Sequence, residues 1–319
     1  MDSISDLIAQ QEQTLPDLLT SIRHGHTIFM AADFSGQHEL AKYESYAFLI
    51  ADFVYLWLWE EMRQKVRQEY LHDQRRMSFK KLADSQRRNA LIPFLGAANC
   101  IPGLCITVLI DKSIPSLFQK SGRLDMSSSE YDGYRHWKPH VFEKLLRVAH
   151  FSALLISCLS SPGQNLIWFI DEDEIAPNEQ RLREACRICS HILSHYLQHD
   201  LGNVRLGTTK SDDGSLSIED LAAIPDLVAG AFCELAPSLA MVNNLNDEVG
   251  LIDTDLTEKA QIILNWFTDP IHTLKKIIIS IDKNEAGKIV PRCTRFDRLS
   301  HSKEFFWHEE AKEIFNKVT

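Results

Sequence analysis

The sequence predicts a mixed α/β fold in which an antiparallel hairpin feeds parallel strands, and three observations carry that expectation. Short, strongly apolar runs such as Ile28–Ala32, Leu104–Ile110 and Leu166–Ile170 read as strands, and longer stretches of helical periodicity alternate with them. Turn-forming clusters punctuate the alternation at Ser35-Gly36-Gln37, Pro102-Gly103 and Ser161-Pro162-Gly163. The resulting order is strand, strand, helix pair, strand, long helix, strand, helix, short strand, helix, the pattern of a sheet flanked by helices.

Residues 3–23 read as two short helices broken at Pro16, and His26–Asp33 as the first strand. Tyr43–Phe53 is apolar on both of its alternating faces, as a strand inside a covered sheet must be. Residues 54–72 take a helical pattern, and Asp84–Cys100 a second one with Pro93 as a kink. The strand Leu104–Ile110 ends at Asp111, and the polar stretch 112–135 reads as a surface insertion. The helix His136–Ser160, the strand Asn165–Ile170 and the helix Asn178–His199 follow. A short strand, Asn203–Gly207, precedes a helix that starts at Ser217 or Ile218 and carries Asp226. Helical stretches at 256–267 and 303–317 are expected to flank a hairpin near Ile277–Ile281 and Lys288–Arg295.

At 319 residues and 45% hydrophobic, the chain suits one large domain or two small ones. It contains no run of eighteen apolar residues, so no membrane partner is expected. Met1-Asp2-Ser3-Ile4-Ser5-Asp6 lacks a signal-peptide pattern, which makes a cytoplasmic location the expectation. The seven cysteines are odd in number and sit in apolar runs, as reduced buried thiols do. Cys186 and Cys189 form a CxxC inside a helical pattern with no second pair to complete a zinc site.

The net charge of −10 excludes a protein coated in basic surface. Yet nine Lys or Arg against three acids fall between Met62 and Arg88. Arg75, Arg76, Lys80 and Lys81 in this stretch, with Lys112, are candidates for steering a phosphate backbone, against the plainer reading of a solvated helix face.

Chemistry is suggested by carboxylates. Asp33 follows the run Ile28–Ala32, Asp171 follows Leu166–Ile170, and Asp226 sits in the apolar Ile224-Pro225-Asp226-Leu227-Val228-Ala229-Gly230. A charged carboxylate on an apolar helix face is costly to bury unless paired or metal-bound. Two strand ends and a helix that bring acids together make a site for hard cations, Mg2+ or Mn2+. Glu172 is placed to substitute or bridge, whereas Asp111, followed by Lys112, reads as a turn former.

Asp33-Phe34-Ser35-Gly36, Asp171-Glu172 and Ala223-Ile224-Pro225-Asp226-Leu227-Val228-Ala229-Gly230 occur in an order that resembles the ribonuclease-H-like proteins catalogued as domain of unknown function 3800. Ile110-Asp111-Lys112 is similar to that family's Asp-Lys after its third strand, and the likeness covers residues 26–235. The resemblance implies a ribonuclease-H-like mixed sheet over 26–245, with an N-terminal helical arm (1–25) and a C-terminal appendage (246–319). It also implies a metal-dependent nuclease acting on DNA or RNA, in which Asp33, Asp171, Asp226 and Glu172 are catalytic and the three aspartates hold the metal.

The chain departs from that pattern at Phe34, where the family has Glu, and at Ile224-Pro225, where it has a polar lead-in. Ser78-Phe79-Lys80-Lys81 lacks an acid that the family places before a lysine, and Glu44 is the candidate to compensate. The rival expectation is therefore an inert interaction protein on the same fold, with the appendage as a protein-partner surface. His191, His195 and His199 share a helix face without the HExxH glutamate, and read as polar surface. Tyr131–Lys138 mixes aromatic and basic residues that either stack bases or anchor a loop.

Overall fold

The computed structural model describes residues 4–9, 20–36, 41–114, 116–118, 124, 126–127, 129–170, 174–242, 256–269, 272–284, 286–298 and 305–309. Eight strands form one sheet in the order β5-β4-β1-β2-β3-β6-β7-β8. They are β1 (Thr27–Ser35), β2 (Tyr43–Asp52), β3 (Gly103–Asp111), β4 (Asn165–Ile170), β5 (Val204–Thr208), β6 (Lys275–Lys283), β7 (Ile289–Arg298) and β8 (Phe305–Glu309). β2 is antiparallel to β1 and β3, while β4 runs parallel to both β1 and β5. β6 adds to β3 in parallel, and β7 and β8 add in antiparallel steps. The predicted hairpin feeding parallel strands is thus present. The carboxyl ends of β1, β3, β4 and β6 form one crest of the sheet.

Side-chain parity decides which layer each residue joins. Ile28, Met30 and Ala32 of β1 pack with Phe48, Ile106 and Trp168 against α5 (Pro139–Leu159) and α6 (Glu179–Tyr196). The helical segment α1 (4–9) and α2 (Thr20–His24) contribute Ile4, Ile8 and Ile22 to the same core. The alternate residues Phe29, Ala31, Ala47 and Leu49 face α7 (Ser217–Val242). Alongside α7 lie α3 (Trp57–Tyr70), α4 (Ser85–Ala98) and α8 (Glu258–Thr268). A sheet covered on both faces explains why β1 and β2 are apolar at every central position.

Local signals set several boundaries. Asp84 caps α4 by accepting from Arg87 N–H at 3.0 Å, and Asn178 caps α6 by accepting from Arg181 N–H at 2.9 Å. Pro139 opens α5 at a position where its missing N–H costs nothing. Gly36, at φ +93°, turns the chain out of β1, and a Cβ there would lie 2.3 Å from Tyr43 O, so only glycine fits.

Of two expectations for the later elements, one holds and one needs correction. α7 starts at Ser217 and runs through Pro225 without a break, so it carries Asp226 in mid-helix as expected. Residues 305–309, expected within a helix at 303–317, form β8 instead. Phe305-Phe306-Trp307 is rich in strand-favouring aromatics, and the open edge of β7 gives their backbone a ladder to complete. Residues 310–317 lie outside the described residues.

Candidate functional site

Asp33 is the crest residue of β1. It is half-buried, and its Oδ1 accepts from Phe34 N–H at 2.8 Å. By parity with Phe29 and Ala31 it belongs to the face that α7 covers. On one side it pairs with Ala47 of β2, and on the other Ala32 pairs with Ile170, the last residue of β4. The next residues in the chain, Asp171 and Glu172, lie outside the described residues.

Asp226 is on the helix covering that same face. The neighbouring Ile224, Leu227, Val228 and Ala231 are fully buried, while Asp226 is half-buried and accepts from Phe79 N–H at 2.7 Å. Phe79 opens a 3-10 turn (Phe79–Lys81) that leans on Gly230, where a Cβ would stand 2.3 Å from the ring. The carboxylate that looked unpaired on an apolar helix therefore orders a turn 147 positions earlier in the chain. Lys259 of α8 clamps the other side, its Nζ 3.8 Å from the Phe79 ring centre and 3.6 Å from Glu234. Further along α7, Cys233 meets Ser35 at the end of β1. Burial raises that thiol's pKa, against the Ser35 hydrogen bond and the nearby Lys112 charge.

Across the sheet, the crest has a different character. Phe34 belongs to the α5 face, its ring 5.9 Å from that of Tyr46 and 4.1 Å from Lys144 Nζ. Lys144 also lies 3.4 Å from Glu174, and His140 lies 3.6 Å from the same carboxylate. Glu44, the candidate to replace the missing acid, accepts from the Tyr46 hydroxyl at 2.7 Å and from Arg147 at 2.8 Å. Arg147 in turn bonds to Glu143 at 3.1 Å. Glu44 is thereby committed to an ion pair, and the cations Lys144 and Arg147 define this side.

The remaining candidates divide by partner. Asp111 closes the turn after β3 by accepting from Ser113 N–H at 2.7 Å, as a turn former does. The Lys112 N–H donates to Lys42 O at 2.9 Å, which holds its residue at the crest. Arg75 is tied to Asp73 and, at 2.6 Å, to Asp84, and Arg76 is paired with Glu219 at 2.7 Å. Lys80 and Lys81 are exposed on the turn that Asp226 holds. Arg63 and Arg67 of the same cationic stretch point inward to the buried Asp220 of α7. Their sequence signal is the inward stripe they share with Trp59 and Val66.

Other motifs prove structural. His195 bonds to the His191 carbonyl at 2.8 Å and His199 to Ser160 at 3.0 Å. Tyr131 and Tyr134 pack on Phe142, and Trp137 donates to Glu184 at 3.1 Å, so this segment anchors its loop. Burial raises the Cys186 and Cys189 thiols, which makes both poor nucleophiles. A surface groove of about 500 Å³ lined by Ser194, Gln198, Asp200 and Val204 lies by the start of β5, at the opposite end of the sheet from the carboxylates.

Among the described residues, no three His, Cys, Asp or Glu side chains cluster closely enough to hold a metal ion. Also among them, no helix is long and apolar enough to cross a membrane. No protein-family model matches the chain, and no curated protein matches it.

Proposed function

We propose that the chain is a divalent-cation-dependent phosphodiesterase of ribonuclease-H-like architecture, acting on nucleic acid. The observation that carries this reading is the pairing of Ala32 with Ile170. It aligns the end of β4, from which Asp171 and Glu172 follow, with Asp33, on the face over which α7 carries Asp226. The strand order β3-β2-β1-β4-β5, antiparallel on one side of β1 and parallel on the other, supports the architecture.

Asp33, Asp171 and Asp226 are the residues that would hold Mg2+ or Mn2+, with Glu172 beside them. Carboxylate oxygens suit these cations, and the bond from Phe79 N–H uses only one oxygen of Asp226. Ligating carboxylates are commonly oriented by such hydrogen bonds. When bound, the cation would supply a water nucleophile at neutral pH and stabilise the departing oxygen. Lys80 and Lys81 sit on the turn that Asp226 orders, so they are placed to draw phosphates towards it. Arg75 and Arg76, already neutralised by acids, contribute less.

A second reading, an inert interaction protein, is favoured by the α5 side of the crest. There Phe34 and Lys144 occupy the place of an acid, and Arg147 consumes Glu44. One experiment separates the two: Mn2+ and Mg2+ titration followed by melting temperature, with cleavage of single- and double-stranded DNA and RNA, comparing wild type with Asp33→Asn. Metal-dependent stabilisation and cleavage that both vanish in the variant support the phosphodiesterase. A wild-type protein that responds to neither cation and cuts none of the four substrates supports the inert reading.

A further inference from the structure

We propose that the segment Phe53–Leu58 is the contact through which two copies of this chain associate. The segment follows β2 as a 3-10 turn (Phe53–Tyr55) and then the first turn of α3. Its sequence, Phe-Val-Tyr-Leu-Trp-Leu, contains no charge. Phe53 is 46% exposed, Val54 55%, Tyr55 56%, Trp57 63% and Leu58 37%, so five of six consecutive apolar side chains face outward. Scattered surface apolars are ordinary, but a contiguous run of this size marks an interaction site.

The run is also held in shape. Asp52 caps the turn by accepting from Val54 N–H at 3.0 Å, the Phe53 ring stacks on Phe29 at 6.4 Å, and Leu56 is buried beneath. A surface ordered in advance loses little conformational freedom on docking.

Area and charge together point to a second copy as the occupant. With aromatic side chains contributing about 150–250 Å² each when fully buried, the exposed fractions give an apolar patch on the order of 450 Å². At the roughly 60% apolar share usual for interfaces, such a patch is the centre of a contact of about 750 Å² per protomer. A stable pair needs about 800 Å² per partner.

A chain of net charge −10 resists meeting its own copy except where the surface is locally neutral. Here it is neutral. Glu60 is engaged by Arg63, Gln64 and Ser217, and Glu61 pairs with Lys65 at 2.6 Å. Two copies related by a two-fold axis then bring an uncharged segment and matched glutamates together. The absence of Lys or Arg from 53–62 disfavours an anionic membrane as the occupant.

The test is sedimentation velocity and light scattering across a concentration series reaching about 100 μM, above the micromolar end of contacts this size. Wild type, Trp57→Lys and Val54→Lys are compared, each checked for an unchanged melting temperature. Both substitutions fall on exposed side chains, so folding is retained. Wild type is expected to dimerise, with the dissociation constant raised at least tenfold by either substitution. A wild type monomeric throughout overturns the proposal, as does a dimer indifferent to both substitutions. Monomers that bind zwitterionic phosphatidylcholine vesicles through Trp57 assign the patch to a lipid surface and equally overturn it.

Discussion

Asp220 is the test of how α3 is fixed to α7. Its side chain is fully buried and accepts from Arg63 Nη1 at 2.9 Å and from Arg67 Nε and Nη2 at 2.5 Å each. Arg63 has a second carboxylate, Glu60, whereas among the described residues the other contact of Arg67 is a 3.5 Å one with the neutral Arg75 carbonyl. Asp220→Asn keeps shape and one acceptor but leaves Arg67 a buried charge without an opposite. Removing one partner of such a pair costs about 3–5 kcal/mol, and the retained acceptor places this variant near the lower end. A loss of about 3 kcal/mol corresponds to a melting temperature lower by about 4–5 °C for a chain of this length. Urea denaturation supplies the free energy directly, with an unchanged slope showing that the same surface is exposed. Because Arg67 and Asp220 act as a unit, Arg67→Met in the Asp220→Asn background should cost less than in wild type by at least about 1.5 kcal/mol. A loss under about 1 kcal/mol, or full additivity, would refute the reasoning.

Three further outcomes follow from single contacts. Gly230→Ala should destabilise by about 1–3 kcal/mol through collision with the Phe79 ring, 2.3 Å from the added Cβ. In a Phe79→Ala background the cost should fall without vanishing, because the ring is gone while the Cβ at that position still lies 2.8 Å from the added methyl; equal costs in both backgrounds would count against the contact. Lys276 is buried under Trp266 with its pKa lowered by burial to about 8 from 10.5. Between those values the unfolded chain binds more protons, so stability rises with pH. The difference between wild type and Lys276→Met, followed from pH 8 to pH 10.5, should shift by about 3 kcal/mol in favour of wild type, and a flat difference would contradict the burial argument. Asp52, buried against Gly25, has its pKa raised by burial against the Val54 N–H bond and His26. The folded state therefore keeps a proton that the unfolded state releases, and this contribution is lost as pH rises through the folded pKa. Asp52→Asn should be more stable than wild type at pH 7, with the gap closing as pH falls towards 3.8; chemical denaturation at several pH values measures it.

Much of the fold was legible because apolar period and turn chemistry agree. Asn165–Ile170 matches β4, since Pro162-Gly163 fixes its start and every residue of the run suits a covered sheet. Parity also separates Asp33 from Phe34, assigning them to opposite faces. Long-range partners were not legible. No sequence signal joins β6 to β3, or names the backbone of Phe79 as the partner of Asp226. The cations of 63–88 read as one basic stretch, but Arg63 and Arg67 turn inward while Lys80 and Lys81 turn outward. A count of charges carries no information about side.

The two faces of the crest make opposite demands on any cation, and Phe34→Glu tests this. The substitution restores the acid of the resembled family, but on the α5 side, where Lys144 stands 4.1 Å from the Phe34 ring centre. A new carboxylate there meets an ammonium already within 3.4 Å of Glu174 and should pair with it rather than with a divalent ion. The cost is the lost cation–π contact and ring packing on Tyr46, offset in part by the new ion pair, for a net loss of about 1–2 kcal/mol. Phe34→Glu alone should therefore leave the Mn2+ thermal response as in wild type, whereas Phe34→Glu with Lys144→Ala should increase it. If the single substitution already creates or strengthens a metal response, Lys144 does not guard that side and the crest is one site rather than two.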